Sequence, residues 1–549
     1  FKVGGSSRAL PMLTFGLDHW RAGLDPAAFK TTNILIHALT TLTLAGLFRL
    51  LLLMAGWTSS RAALAAPALA LAWAIHPLQV SSVLYVVQRM QTMGTLFLVL
   101  ALWAYLAMRR AQIAGERSRQ FGVLTGLCWV LALASKEDSA LLPAYTLALE
   151  LTVLQFRAAS QALARGLRRG YLLATVAGTA LFLAVVVPHY WHWDAYPTRD
   201  FSSWERLLTQ ARVLSMYLGQ IVLPLPSHMP FHYDGLVPSR GLLQPWTTLP
   251  SLLLVFGLLG AAWWLRRRRP LFALGVLLFF AGHFITSNVV GLELAFEHRN
   301  HFPLIGAVLA LGDLLSAAAA RLRLSPRSAI ACACLLLAAL GGTTLVRANT
   351  WGSPLGFAQA STRIAPQSER AWINLCQVHF DRSGGQPGTP DFAAALDACA
   401  QGATMPYGAS NLASLTVMKT IAGSATAADW ARLQQRMRTT TMTASNAGVA
   451  WYLVRYSNGD RRVAARNVIP IIDIVGQRAG FRPEEYVGFG YYAAKNGLQA
   501  DAYRYFTQAV QASPPGSGFP AALVADLKAE GYAQWAQRLE AFARDRRGQ

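Results

Sequence analysis

The chain is short of charge, and shortest of negative charge: only 14% of its 549 residues are Asp, Glu, Lys or Arg, with 27 acidic against 49 basic side chains. With 54% hydrophobic residues and a mean hydropathy of +0.32, that scarcity excludes an ordinary water-soluble domain, which needs more charge at its surface. Long apolar runs are nearly missing after Val346, so the chain divides into a lipid-like first region and a water-like second one. A basic patch interleaved with aromatics is missing too. The formal charge of +22 is concentrated in short arginine-rich turns, which excludes nucleic acid as a partner and points to the bilayer. No signal peptide precedes the first apolar run, and the chain starts on Phe1. An N-terminal piece carrying one earlier helix is therefore expected upstream.

What is present is a series of apolar stretches close to the roughly 20 residues a helix needs to cross a bilayer. They predict about ten spans, near residues 31–54, 61–77, 92–108, 122–136, 139–156, 171–188, 247–265, 271–289, 302–318 and 329–346. The stretch 203–224 is amphipathic, with its charges in the first half, and reads as an interfacial or half-inserted helix. The turns with Arg109-Arg110, Arg117 and Arg119, with Arg157, Arg165, Arg168 and Arg169, with Arg266 to Arg269, and with Arg321, Arg323 and Arg327 fall on one side of the count. By the positive-inside rule that side is cytoplasmic. The fold class expected is all-α: a segment 1–30, a transmembrane bundle 31–346 with a long outer loop at 189–246, and a helical soluble domain 347–549 on the outer side.

In that last domain, Tyr486, Phe489, Gly490, Ala502, Phe506, Ala509 and Pro514 stand at offsets 4, 7, 8, 20, 24, 27 and 32 of a tetratricopeptide (TPR) repeat. Trp372, Leu375 and Asp391-Phe392-Ala393-Ala394 fit a degenerate copy with a longer turn. About three repeat units are expected, unrelated helical hairpins being the alternative. Cys128, Cys332 and Cys334 lie within spans and read as small packing residues. Cys376 and Cys399 sit on the two halves of one expected helix pair outside the cytoplasm, where a disulfide between them is open.

Four polar places mark the outer ends of the spans: Arg8-Ala9-Leu10 through Asp18-His19-Trp20; His76-Pro77 with Gln88-Arg89; Ser135-Lys136-Glu137-Asp138; and Glu293 with Glu297-His298-Arg299-Asn300-His301. Charge beside a membrane is costly, so four such places on one side suggest a shared site. Arg8, Arg89, Lys136 and Arg299 suit a phosphate or pyrophosphate, with His76, Glu137 and Glu297 supporting them. Taken singly, Arg89 could equally snorkel to the interface, and Lys136-Glu137 could be a self-neutralising turn. His189, His192 and Asp194, and His228 with His232 and Asp234, have ligand types for a divalent cation, the only cofactor the residues suggest. Interleaved Tyr190, Trp191, Trp193, Phe231 and Tyr233 equally suit an aromatic belt.

The runs Ala74-Ile75-His76-Pro77-Leu78-Gln79-Val80, Val86-Val87-Gln88-Arg89, Ser135-Lys136-Glu137 and Glu297-His298-Arg299 with Phe302-Pro303 resemble those of the TPR-containing transmembrane O-mannosyltransferases and their bacterial relatives, of the GT-C class. The resemblance covers most of the chain and implies a GT-C-like bundle followed by a non-cytosolic TPR-like domain. It also implies transfer of a sugar from a polyprenyl-phosphate donor to a protein acceptor, pilin-like proteins included, at the outer face of a bacterial inner membrane. The family's acidic pair precedes the segment that Arg8-Ala9-Leu10 resembles and is not in this sequence, and the family's Arg-Pro-Leu is Arg-Ala-Leu here. The general base is therefore expected upstream of Phe1, with Glu137, Glu297 and Asp234 as lesser candidates. A non-enzymatic membrane scaffold with a partner-binding helical domain is the second reading. A transporter is the third, disfavoured because only His37 and His283 fall near mid-span.

Overall fold

A computed structural model describes residues 8–192, 196 and 199–547. Among them there is no β-strand, and the chain forms two compact helical units: residues 1–196 with 201–365, and residues 366–549 with 197–200.

In the first unit, six helices are long and apolar enough to cross a membrane: Pro26–Met54, Val86–Ala114, Gln161–Tyr190, Thr248–Leu265, Pro303–Arg321 and Pro326–Thr350. Several begin where the sequence supplies a cap. Asp25 accepts a hydrogen bond from the Ala27 N–H (3.0 Å) ahead of Pro26, and Ser325 accepts one from the Ser328 N–H (3.1 Å) ahead of Pro326. Each cap satisfies an amide that the first helical turn leaves open, and proline in that turn has no amide to satisfy. The most hydrophobic windows of Gln161–Tyr190 and Pro326–Thr350 are not buried at all, so their leucines and valines meet the surroundings rather than a core. Apolar surface on that scale is compatible with lipid around the unit.

The other expected spans are shorter helices: Ser59–Ala74, Arg119–Leu133, Leu142–Leu149 and Pro270–His283. The last crosses Pro303–Arg321 so closely that a Cβ on Gly275 would lie 2.4 Å from the Gly306 carbonyl oxygen. Glycine at both positions is what lets the two backbones meet. One expected span, residues 139–156, is a contiguous helical run of mixed type: a 3-10 segment (Glu137–Leu141), the helix Leu142–Leu149 and a π segment (Glu150–Leu154), ending at Gln155 with φ +53°. The buried Glu150 lies in its π segment, where its carboxylate meets Arg109 Nε at 2.6 Å.

The helix Ser203–Val222, expected to be interfacial or half-inserted, opens with a Ser202/Glu205 capping box and buries its polar stripe Arg206, Gln210, Tyr217 and Gln220 against protein. Arg206 donates to the carbonyls of Asn288 (2.8 Å), Leu292 (2.6 Å) and Thr286 (3.2 Å), and Gln210 to that of Leu294 (2.9 Å). The helix is thus the template on which the non-helical stretch 284–296 is laid.

The second unit is a run of short helices, from Glu369–Arg382 to Ala533–Arg547. Glu369–Arg382 packs on Pro390–Ala403, and Pro483–Lys495 on Gln499–Ala512. Cys376 and Cys399 are joined by a disulfide across the first of these pairs, with 5.3 Å between their Cα atoms. In the second pair Phe489, Ala502, Phe506 and Ala509 are buried, and a Cβ on Gly490 would come within 2.5 Å of the Phe506 ring.

Candidate functional site

The four polar places picked from the sequence meet at one end of the first unit. Arg8, just ahead of the helix Ala9–Ala22, donates to both carboxylate oxygens of Glu137 (2.8 and 3.0 Å), and its remaining amino group lies 3.0 Å from Met90 Sδ. A backbone bond from the Leu10 N–H to the Ala134 carbonyl (3.2 Å) holds the two segments together. Lys136 donates to the Gln91 side-chain carbonyl and lies 3.5 Å from Asp138. Arg299 donates to the carbonyls of Glu293 (2.7 Å) and Leu294 (3.3 Å), with its guanidinium 5.4 Å from the centre of the Phe296 ring. Between these cations, burial, then Lys136 and Arg299, hold His298 neutral by pushing its pKa well down. His301 is tied to the Arg89–Ala114 helix through Thr95 (2.9 Å).

Behind this surface stands a buried layer that braces it. Arg89 is fully buried: it pairs with Asp18 (2.6 Å) and donates to Asn33 Oδ1 (2.7 Å), the Phe29 carbonyl (2.8 Å) and Thr14 Oγ1 (3.3 Å). This corrects its expected place among the phosphate-binding residues, because Asp18 neutralises it and the fold encloses it. His76 is also buried. The Leu78 N–H donates to its Nδ1 (3.2 Å), so the ring's other nitrogen carries the proton and donates to the Ile221 carbonyl (3.1 Å). Glu297 is enclosed with Arg347, which also donates to the Met229 carbonyl (3.0 Å); burial pushes the Glu297 carboxyl up, and Arg347 opposes the push. Enclosure removes Glu297 from reach of an acceptor hydroxyl.

Of the expected site residues, Arg8, Glu137, Lys136 and Arg299 are thus partly exposed at this end, while Arg89, His76 and Glu297 form the layer beneath. Asp234 is half-buried and follows Tyr233, whose hydroxyl accepts from Gln220 at 3.1 Å. Among the described residues no three His, Cys, Asp or Glu side chains are grouped to hold a metal ion. His192 Nε2 is 2.9 Å from the His189 carbonyl oxygen, and Asp194 lies outside the described residues. His37 bonds the Ala74 carbonyl (3.0 Å) and packs 4.7 Å from Trp73, and His283 stacks 5.2 Å from Tyr217.

The sequence names Asp18 without pairing it to Arg89 and gives no role to Gln91, Arg206 or Arg347. Arg206 could have been found, since Arg206, Gln210, Tyr217 and Gln220 recur at helical spacing and mark a polar stripe that faces inward. Arg347 offered no such signal, lying 50 residues from its partner Glu297. No known protein family, curated protein or solved structure matches this chain.

Proposed function

We propose that the chain is a membrane glycosyltransferase of the GT-C kind. It would move a sugar from a polyprenyl-phosphate donor to an envelope protein, pilin-like acceptors included, at the outer face of a bacterial inner membrane, with the helical C-terminal unit acting as a TPR-like acceptor-binding domain. The observation that carries this reading is the convergence of Arg8, Lys136 and Arg299 at one end of an apolar helical unit. Each comes from a different segment, and each is fixed by protein carboxylates or carbonyls. A donor of this kind is an isoprenoid with a phosphate at its end, so it needs apolar surface beside positive charge. When the sugar leaves, negative charge grows on the phosphate, and preset cations stabilise it without having to reorganise. Arg8 can exchange Glu137 for a phosphate, which its guanidinium fork fits equally well, and the released Glu137 is a half-exposed carboxylate beside the same ligand.

A non-enzymatic scaffold that holds lipid headgroups is the second reading. It is favoured by the same fact that each cation already has a protein partner. The two separate when the full chain, reconstituted into vesicles, is given a polyprenyl-phosphate sugar and an envelope protein extract. The enzyme reading expects labelled sugar in protein, reduced about 100-fold or more by Lys136→Ala. The scaffold reading expects no transfer from either form.

A further inference from the structure

The opposite end of the same unit holds a second site. On the helix Arg89–Ala114, Arg109 and Arg110 stand about 30 Å beyond Arg89 at the usual rise per residue. There the ends of this helix and of Pro26–Met54, with the turn after Leu154, enclose a groove of about 290 Å³. Leu50, Leu53, Met54 and Ile113 line it, together with the exposed Arg110 and Arg157.

The rim is built. Arg109, itself fully buried, pairs with Glu150 (2.6 Å) and donates to the Arg157 carbonyl (2.7 Å), so a buried ion pair grips the backbone that carries the second rim cation. The Ala159 N–H donates to the Gln112 carbonyl (3.0 Å), tying the same turn to the helix end. Gln155 and Phe156 turn the chain with φ of +53° and +56°. The Arg157 side chain folds back to the carbonyls of Leu154 (3.1 Å) and Val153 (2.9 Å), which sets its guanidinium at the groove mouth.

We propose that this groove binds an anionic phospholipid, its phosphate between Arg110 and Arg157 and its acyl chains along Leu50, Leu53 and Ile113. A free phosphate offers the same oxyanion but makes no use of an apolar floor. Basic pockets between membrane helices recognise headgroups by this combination. The proposal needs the unit to lie in a bilayer but is independent of the transferase reading.

The test titrates the purified full chain in detergent with short-chain phosphatidylglycerol, short-chain phosphatidylcholine and inorganic phosphate, counting bound lipid by native mass spectrometry. Phosphatidylglycerol binds at least about tenfold tighter than phosphatidylcholine, the span of one strong charge-assisted contact. Arg110→Gln with Arg157→Gln abolishes that preference, and Leu53→Trp, which fills the floor, weakens both lipids. Should the double variant fail to fold, Arg110→Gln alone still lowers the preference several-fold, while Arg266→Gln with Arg267→Gln at a separate basic turn leaves it unchanged. Equal affinity for the two lipids, a preference that survives in Arg110→Gln, or displacement of the lipid by equimolar inorganic phosphate would overturn the proposal. Lipid counts need no sugar transfer, so this result and the transferase reading fail separately.

Discussion

The two units sort their side chains in opposite directions. Among the described residues, every buried Asp, Glu and Arg lies in the first unit, where Asp18, Arg89, Arg109, Glu150, Arg206, Glu297 and Arg347 are all enclosed. The described residues of the second unit include no buried Asp, Glu or Arg, and its charges stay at the surface, as in Arg504 with Asp473 and Asp501. Exposed large hydrophobics follow the reverse rule: from Leu13 to Val346 they are frequent, and beyond Trp351 only Trp451 is exposed among the described residues. A single chain thus meets two surroundings. Water rewards the second unit for hiding apolar groups. Lipid gives the first no such reward, and charges that would face it are driven inward to find partners.

The contrast breaks most sharply at a buried ion pair. Arg109→Ala leaves the buried Glu150 carboxylate with the Tyr105 hydroxyl but no cation, and should cost about 3–5 kcal/mol in the first unit. Adding Glu150→Gln should restore part of the loss. Midpoints from fluorescence-detected gel filtration after heating would read both, and a silent Arg109→Ala would show that the pair does not hold this unit together. The matching break in the second unit is Cys376→Ser with Cys399→Ser. Opening this crosslink should cost roughly 3 kcal/mol by the chain-entropy estimate, felt in hydrogen exchange of the helices Glu369–Arg382 and Pro390–Ala403. Exchange in the first unit should not change.

The smallest effect sharpens the contrast by pH. Asp429 caps the helix Ala427–Thr439 and pairs with Lys419 (2.7 Å); the lysine's hydrogen bond first, then the Thr426 amide, hold its carboxyl below the usual range. Its folded pKa is depressed, so its contribution is complete above the unfolded value of about 4 and is lost as pH falls through the folded one. Because the pair is partly exposed, the amount is under about 1 kcal/mol. Protection factors of amides in 427–439, corrected for intrinsic exchange, should fall below pH 4 in the native chain and change less in Asp429→Asn.

Much of this arrangement could be read from the sequence because it is local. Apolar run length located the helices, and polar residues at their ends located four segments that the structure brings together. Partnership was not legible. Arg109 reads with Arg110 as a topology signal, yet the carboxylate it pairs with lies 41 residues away, on a π segment inside an expected span. Arg89 was read as a ligand group because Asp18 had not been recognised as its partner. A charge at a membrane edge has the same sequence signature whether it faces a ligand or braces the fold, and the burial of its partner is what separates the two.

The proposed function turns on whether the partly exposed cations Arg8, Lys136 and Arg299 receive a lipid phosphate. The most direct measurement compares binding of a short-chain polyprenyl phosphate and of the corresponding free polyprenol to the purified full chain, before and after Lys136→Ala. The account predicts that the phosphate binds at least about tenfold tighter than the alcohol and that Lys136→Ala removes most of the difference while polyprenol binding is unchanged. Equal binding of the two, or a phosphate preference untouched by Lys136→Ala, would contradict it.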